Sequence, residues 1–312
     1  MEQLSGVAGQ SRSGLTADVD LQGSLPCVRC RYDLKGLSIT SICPECGTPV
    51  RATILMKVDP HADELQPLFH PKLTAWGLFL WSAFALAGVL AAWLMFASHI
   101  SQRWTAPDWI AWLVPGFTAL SGICAIAMVK PHKLDSLASS HVVGKLSGAA
   151  SAMAGMGVAL YGPLVYCLYA EFVVFWPGSS VTGTFAQFAR IACCVLMAII
   201  LFALRPNARL LAARSFLMRT GQQDRQQMAS LIVVVLLLGV VETIALIKNQ
   251  GANAELIEAI VSIMRVVFAA LFTLGLISVV IDTWRLRKIL AEPPLSLRTL
   301  ITEGADAKRV VA

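Results

Sequence analysis

Four of the eight cysteines fall in two pairs near the N-terminus, Cys27-Val28-Arg29-Cys30 and Cys43-Pro44-Glu45-Cys46, with twelve residues between the pairs. A two-residue gap lets both sulfurs of a pair reach one metal ion, and four thiolates suit a tetrahedral zinc. Iron in a rubredoxin-like site is the rival, and zinc is preferred because no redox partner motif accompanies the cysteines. Two disulfides are a third reading, which needs an oxidising compartment. Four protein ligands leave no open coordination position, so the expected role of Cys27, Cys30, Cys43 and Cys46 is structural, not catalytic. A segment of about twenty residues has too little core to fold without such support. The residue after each second cysteine favours a positive backbone dihedral, which lets amides point at the sulfurs. Gly47 supplies it freely, and Arg31 does so at a mild cost in strain.

A second set of residues stands out by its setting. Arg190, Glu242 and Arg265 interrupt apolar runs. Each lies roughly six residues from the outer end of its run, about 9 Å deep at helical rise. Charges at that depth are expensive and tend to pair. Three readings are open: a polar site for an anion or a proton, an ion pair joining helices, or arginines that snorkel to the surface. The most expected contact is Arg190 with Glu242, on consecutive antiparallel spans. Phosphate-binding, zinc-protease and nucleophile-elbow motifs are lacking, so no enzyme is expected. The paired carboxylates Glu255 and Glu258 flank a loop and read as solvated. Cys124, Cys167, Cys193 and Cys194 fall in apolar runs and read as small hydrophobes.

The elements that must position these residues are those of a membrane protein. Of 312 residues, 56% are hydrophobic and 14% charged, against about 25% charged in soluble domains. The fold expected is an all-α polytopic bundle of about six transmembrane helices with a small N-terminal β zinc ribbon. The divisions are a disordered leader over 1–25, the ribbon over 26–50, and a juxtamembrane linker over 51–72. The membrane domain follows over 73–284 and a partly disordered cytoplasmic tail over 285–312. Residues 50–56 read as a short strand. The spans are placed at about 73–98, 109–129, 146–170, 184–204, 229–247 and 259–281. Trp76, Trp81 and Trp93 suit interfacial or lipid-facing positions, and Trp104, Trp109 and Trp112 an outer belt. Span 3 carries Ser147, Ser151, Gly155 and Ala159 at intervals of four, a face that lets another helix approach, so it reads as central. Its apolar run continues past Pro163 to Trp176. That is too long for one straight span, so a kink at Pro163 or an interfacial outer part is expected, and Glu171 favours the interface. Arg205–Gln227 reads as an interfacial helix, with Arg209, Arg214 and Arg219 meeting anionic lipid or serving as a topology anchor.

Basic residues alternate between loops. Lys130, Lys133 and Lys145 follow span 2; Arg205, Arg209, Arg214, Arg219 and Arg225 follow span 4; Arg285, Arg287 and Lys288 follow span 6. The other loops are poor in net positive charge. Both termini are therefore expected in the cytoplasm, at a bacterial inner membrane. That compartment is reducing, which suits thiolates on a metal.

The string Cys27-Val-Arg-Cys-Arg-Tyr-Asp-Leu-Lys-Gly-Leu37, followed by Cys43-Pro-Glu-Cys-Gly-Thr-Pro-Val50, resembles the N-terminal zinc ribbon of planctomycete-type multi-pass membrane proteins. In that family Gly-Tyr-Asp-Leu-Arg-Gly-Leu usually follows the first knuckle; here Arg31 replaces the Gly and Lys35 the Arg. The resemblance covers about residues 26–50 and implies a fold and a location but no activity. The leading functional expectation is a membrane-tethered scaffold whose ribbon recruits a cytoplasmic protein. Arg29, Arg31, Lys35 and Arg51 make its surface basic, too weakly to favour nucleic acid. The alternative is a small transporter or channel built on the intramembrane charges. It requires a polar cavity reaching Glu242, whereas a solidly packed bundle favours the scaffold.

Overall fold

The computed structural model describes residues 19–58, 68–100, 107–130, 141–174, 183–212, 227–247, 254–291 and Leu300. The chain divides into two compact units, Met1–Leu65 with Pro294–Ala312, and Gln66–Pro293.

In the first unit the backbone turns around the cysteines. It makes three isolated antiparallel bridges, Asp20–Ser38, Pro26–Asp33 and Ile42–Pro49. The expected β ribbon is thus not formed from strands: among the described residues, pairing stops at single bridges. Two of the bridges flank the cysteine turns, where the Cys27 amide donates to the Tyr32 carbonyl and the Cys43 amide to that of Thr48, both at 2.8 Å. The chain must then curl around its sulfurs, so no ladder can extend. The strand expected over 50–56 is also corrected, because Val50–Lys57 is a helix, α1. Pro49 lacks the N–H that a further ladder bond needs. Beyond it Val50, Thr53 and Ile54 are buried, a spacing that forms one face of a helix and not of a strand.

The core of this unit joins Leu21, Leu25, Leu34, Val50, Ile54 and Val58 to Cys27, Cys43 and Leu300. Leu21 and Leu25 lie in the stretch expected to be a disordered leader, so the packed unit begins before residue 26. Leu300 comes from the tail. It is 2% exposed, and its carbonyl accepts the amides of Gln22 and Gly23 at 2.8 and 3.0 Å.

The second unit contains α2 (Pro71–Ile100), α3 (Trp109–Ala125) with a 3-10 turn at Ile126–Met128, and α4 (His141–Ala159). There follow α5 (Tyr161–Tyr169) running into a π turn at Ala170–Val174, α6 (Gly183–Ala212), α7 (Gln227–Ile247) and α8 (Ala254–Ala291). Six segments are long and apolar enough to cross a membrane, the pattern of a multi-pass membrane protein. The third, Gly148–Val174, combines α4, α5 and the π turn. It breaks at Leu160, as the proline requires: Pro163 has no N–H to offer Ala159, and its ring crowds that carbonyl.

Packing closes a ring. α2 contacts α3 and α8, α3 contacts α5, α5 contacts α6, α6 contacts α7, and α7 contacts α8. α4 rests mainly on α6, so the central place expected for it is corrected. The stripe at intervals of four is not the contact face either. Ala150 and Ala154 are buried, and a Cβ on Gly157 would stand 2.9 Å from that of Ala203. Spacings of four then three keep residues on one helical face, whereas repeated fours drift around it.

Three further expectations change. Trp81 and Trp93 do not face lipid: Trp81 is 3% exposed, its Nε1 donates to Tyr161 Oη at 2.7 Å, and Trp93 Nε1 donates to Thr273 Oγ1 at 2.9 Å. An indole N–H in an apolar setting needs an acceptor, and both find one on a neighbouring helix. Trp76, Trp109 and Trp112 are exposed as expected, while Trp104 lies outside the described residues. Residues 205–212 continue α6 instead of starting an interfacial helix, and Arg209 sits in its last turn. Asn207 ties this extension down, its Nδ2 donating to the carbonyls of Met128 at 2.7 Å and Val129 at 3.3 Å. Arg214 and Arg219 lie outside the described residues. Finally, α8 has 38 residues, about 57 Å at 1.5 Å per residue, nearly twice the hydrocarbon thickness. Arg285, Arg287 and Lys288 are therefore helical and not part of a loose tail. The Arg287 guanidinium stands 4.2 and 3.8 Å from the ring centroids of Trp76 and Trp284.

Candidate functional site

The four N-terminal cysteines converge. Their sulfurs all lie within 4.8 Å of one another, with Cys27–Cys46 at 3.6 Å and Cys30–Cys43 at 3.5 Å. A tetrahedral ion about 2.3 Å from each sulfur would hold them about 3.8 Å apart, so the group fits a metal. The two turns repeat one design. The Arg31 amide donates to the Cys27 carbonyl at 3.1 Å, and that of Gly47 to the Cys43 carbonyl at 2.9 Å. Arg31 and Gly47 have φ of 65° and 69°, the left-handed conformation the sequence called for. Asp33 braces the first turn, a role the sequence reading missed. Its Oδ1 accepts the amides of Leu25 and Lys35, and its Oδ2 the Ser24 hydroxyl. Desolvation opposes its charge, but those donors outweigh it and hold the carboxyl below its usual range. An Asp at a tight turn accepting an amide two residues on was a readable signal.

The thiols respond to the same geometry. Amides of Cys30 and Arg29 draw Cys27 down to about 6, and the Thr48 hydroxyl and amide lower Cys46. At Cys30 the Tyr32 amide also works downward, but desolvation and the three neighbouring sulfurs push it up to about 12. Four sulfurs this close cannot all ionise beside one another, and a cation among them replaces the retained proton.

The bundle holds the second site. The helix ring surrounds a partly open cavity of about 690 Å³ that Glu171, Arg190, Glu242 and Arg265 all line. Its volume is that of a small-molecule site, roughly 300–1,000 Å³. All six spans contribute, and most of the wall is apolar, including Trp81, Trp93, Phe96, Leu168, Met197 and Phe272.

The charges pair differently from the expectation. Arg265 Nε and Nη2 grip Glu242 at 2.6 and 2.8 Å, a bidentate fork. Arg190 does not take Glu242; its Nε donates to Glu171 Oε1 at 2.8 Å. Glu171, expected at the interface, belongs to the π turn and is 13% exposed at its side chain. A π turn carries an extra residue per turn and re-aims what it bears. The sequence offered a sign that went unused: a single acid in an apolar run is as costly as Glu242. Cys193 and Cys194 also line the cavity, among hydrophobes as expected.

No protein-family model matches the chain, nor does any curated protein or any solved structure.

Proposed function

We propose that the helix ring is a membrane-embedded chamber that binds and moves a small amphiphile. The observation that carries this is the cavity reaching Glu242, the feature that separates a transporter from a solid anchoring bundle. A mostly apolar wall with a few convergent polar groups suits a ligand with an apolar body and one polar end. The four-cysteine unit holds a structural zinc in this reading, preferred over iron because nothing else in the chain suggests electron transfer. It adds no catalytic step. The site is placed in a bacterial inner membrane with both termini in the cytoplasm, on the basic-loop pattern. A reporter fused after Ala312 should then be cytoplasmic and one inserted near Ser179 external; the reverse result would reopen the disulfide reading.

The scaffold reading keeps one supporting observation. Arg29, Arg31, Lys35 and Arg51 are all exposed on the four-cysteine unit, so an acidic cytoplasmic protein is the partner proposed for it. Affinity capture from membranes, comparing the natural chain with Cys43→Ser, tests that part alone.

The chamber is tested by mass spectrometry of the purified protein under native conditions and by flux into proteoliposomes. The protein should retain a single-chain amphiphile, and Ala269→Phe, which fills the cavity, should lose it without lowering helix content. A protein that retains nothing and gains no thermal stability from any amphiphile overturns the reading.

A further inference from the structure

Resting on the chamber reading, we infer that the cavity selects an anionic head group, a carboxylate or phosphate on an apolar chain, and that Arg190 and Arg265 are the residues that read it. Formally the four charges cancel, so a neutral or zwitterionic head would be the first guess. Accessibility breaks that symmetry. In the first pair the arginine side chain is 34% exposed and its glutamate 13%. In the second the arginine is 27% exposed and its glutamate 5%. At both pairs the cation is the more accessible partner and the anion the more buried.

The hydrogen-bond inventory points the same way. A guanidinium has five N–H donors and no acceptor. Among the described residues, Arg190 spends only Nε, on Glu171, and Arg265 spends Nε and one Nη, on Glu242. Donors remain on both. Glu242 by contrast has both oxygens engaged. The pairs come from four segments, the π turn, α6, α7 and α8, and all four side chains line the one cavity. An oxyanion among them can accept from two guanidinium groups whose own carboxylates fix their orientation. The carboxylates also remove the cost of keeping two bare cations in an apolar site when no ligand is bound. The remaining wall receives the chain, with Trp81, Trp93 and Phe272 in the same lining.

The test uses the full-length protein in phosphatidylcholine nanodiscs. Probes share one dodecyl chain and differ in head: carboxylate, phosphate, trimethylammonium and an uncharged glyceryl ester. Inorganic phosphate without a chain is included. Binding is read as thermal shift and by competition in native mass spectrometry. The carboxylate or phosphate probe should bind at least about tenfold more tightly than the ammonium probe, and whichever of the two wins identifies the head. The variants Arg190→Gln/Glu171→Gln and Arg265→Gln/Glu242→Gln remove charge in balanced pairs, so no buried ion is left alone. Each should lower the ratio of anionic to uncharged binding by several-fold. Equal or tighter binding of the ammonium probe, or an unchanged ratio in both double variants, overturns the anion assignment. The chamber reading fails separately. If the uncharged ester binds and Ala269→Phe abolishes it, the chamber stands whatever the head preference. If no chain-bearing probe binds, both fall.

Discussion

Leu25 and Leu34 in the four-cysteine unit are as fully buried as Leu204 and Leu290 in the bundle, yet the two units reach that burial by different means. The bundle does so with long helices in a closed ring, whose backbone groups are satisfied within each helix. Among its described residues the small unit shows one eight-residue helix, three single bridges and a short list of core side chains. It draws its remaining cohesion from one point, the four sulfurs, and from one distant residue, Leu300. The bundle can tolerate a hole and four charges at its centre because the rest of its framework is redundant. The described part of the small unit has few such elements, so each of its special contacts should matter more than its size suggests.

The sharpest way to break this contrast is to strip any metal from the four sulfurs. Structural zinc contributes about 10–16 kcal/mol of apparent binding free energy in small domains, and under the zinc reading proposed above that would be folding free energy for the small unit. Chelation, or Cys43→Ser, should expose residues 19–58 to protease in the membrane-bound protein while the helical content of the bundle stays the same. Metal analysis of the untreated protein should give one zinc per chain. A small unit that stays protease-resistant without metal would mean that its apolar core suffices, and the contrast would disappear.

Within the bundle the largest effects should come from leaving a charge alone. Arg265→Gln strands Glu242, which is 5% exposed at its side chain, and such a loss costs roughly 3–5 kcal/mol. Arg190→Gln strands Glu171, which is 13% exposed, and should cost less. Thermal unfolding in detergent should rank the natural protein above Arg190→Gln and both above Arg265→Gln. Glu242→Gln/Arg265→Gln should recover much of the loss. If the double variant is no better than the single one, the pair is not coupled, and snorkelling becomes the better account.

These two sites differ in how far they could be read from sequence. The cysteine cluster is local: two residues of spacing fix two sulfurs, and the positive φ at Arg31 and Gly47 follows from the same turn. The six spans are legible because water and lipid impose a composition. The pairing of the charges is a tertiary fact. It depends on a π turn that re-aims Glu171 and on which helices close the ring, and neither leaves a local pattern. The helix Val50–Lys57 sits between these extremes. Its buried spacing was visible, but a stretch of β-branched and apolar residues next to a cysteine turn reads equally well as a strand. Leu300 lay beyond reach, since nothing in the tail announces a partner some 275 residues upstream.

Leu300 is accordingly the next test. Removing its side chain should cost the small unit about 2–5 kcal/mol, the range for buried leucine truncations. The bundle should be indifferent. Hydrogen exchange on the whole protein would show faster exchange at the Gln22 and Gly23 amides, which donate to the Leu300 carbonyl, with no change in α2–α8. Unchanged exchange there would mean that the tail contact contributes nothing to the unit's stability.

The smallest effect should be a gain, and it separates strain from ligation. Arg31 holds φ at 65° at the same point of the first turn where Gly47 holds 69° in the second. A side chain in the left-handed region costs roughly 1–2 kcal/mol, a cost that glycine avoids. Arg31→Gly relieves this strain but also loosens the unfolded chain, which takes back part of the gain, so about 0.5–1 kcal/mol should remain. The sulfurs do not move in this change, and the Arg31 amide that donates to the Cys27 carbonyl is kept. Zinc affinity in a competition with a chelator should therefore rise by a factor of about 2–5, since a kilocalorie or so of relief appears directly in the binding constant. The converse variant, Gly47→Arg, should lower it by a comparable factor, because a Cβ there meets open space and only the dihedral is penalised. If both changes leave zinc affinity alone, the turn conformation is not what limits the site. The difference between the two units would then rest on the sulfurs and Leu300 only.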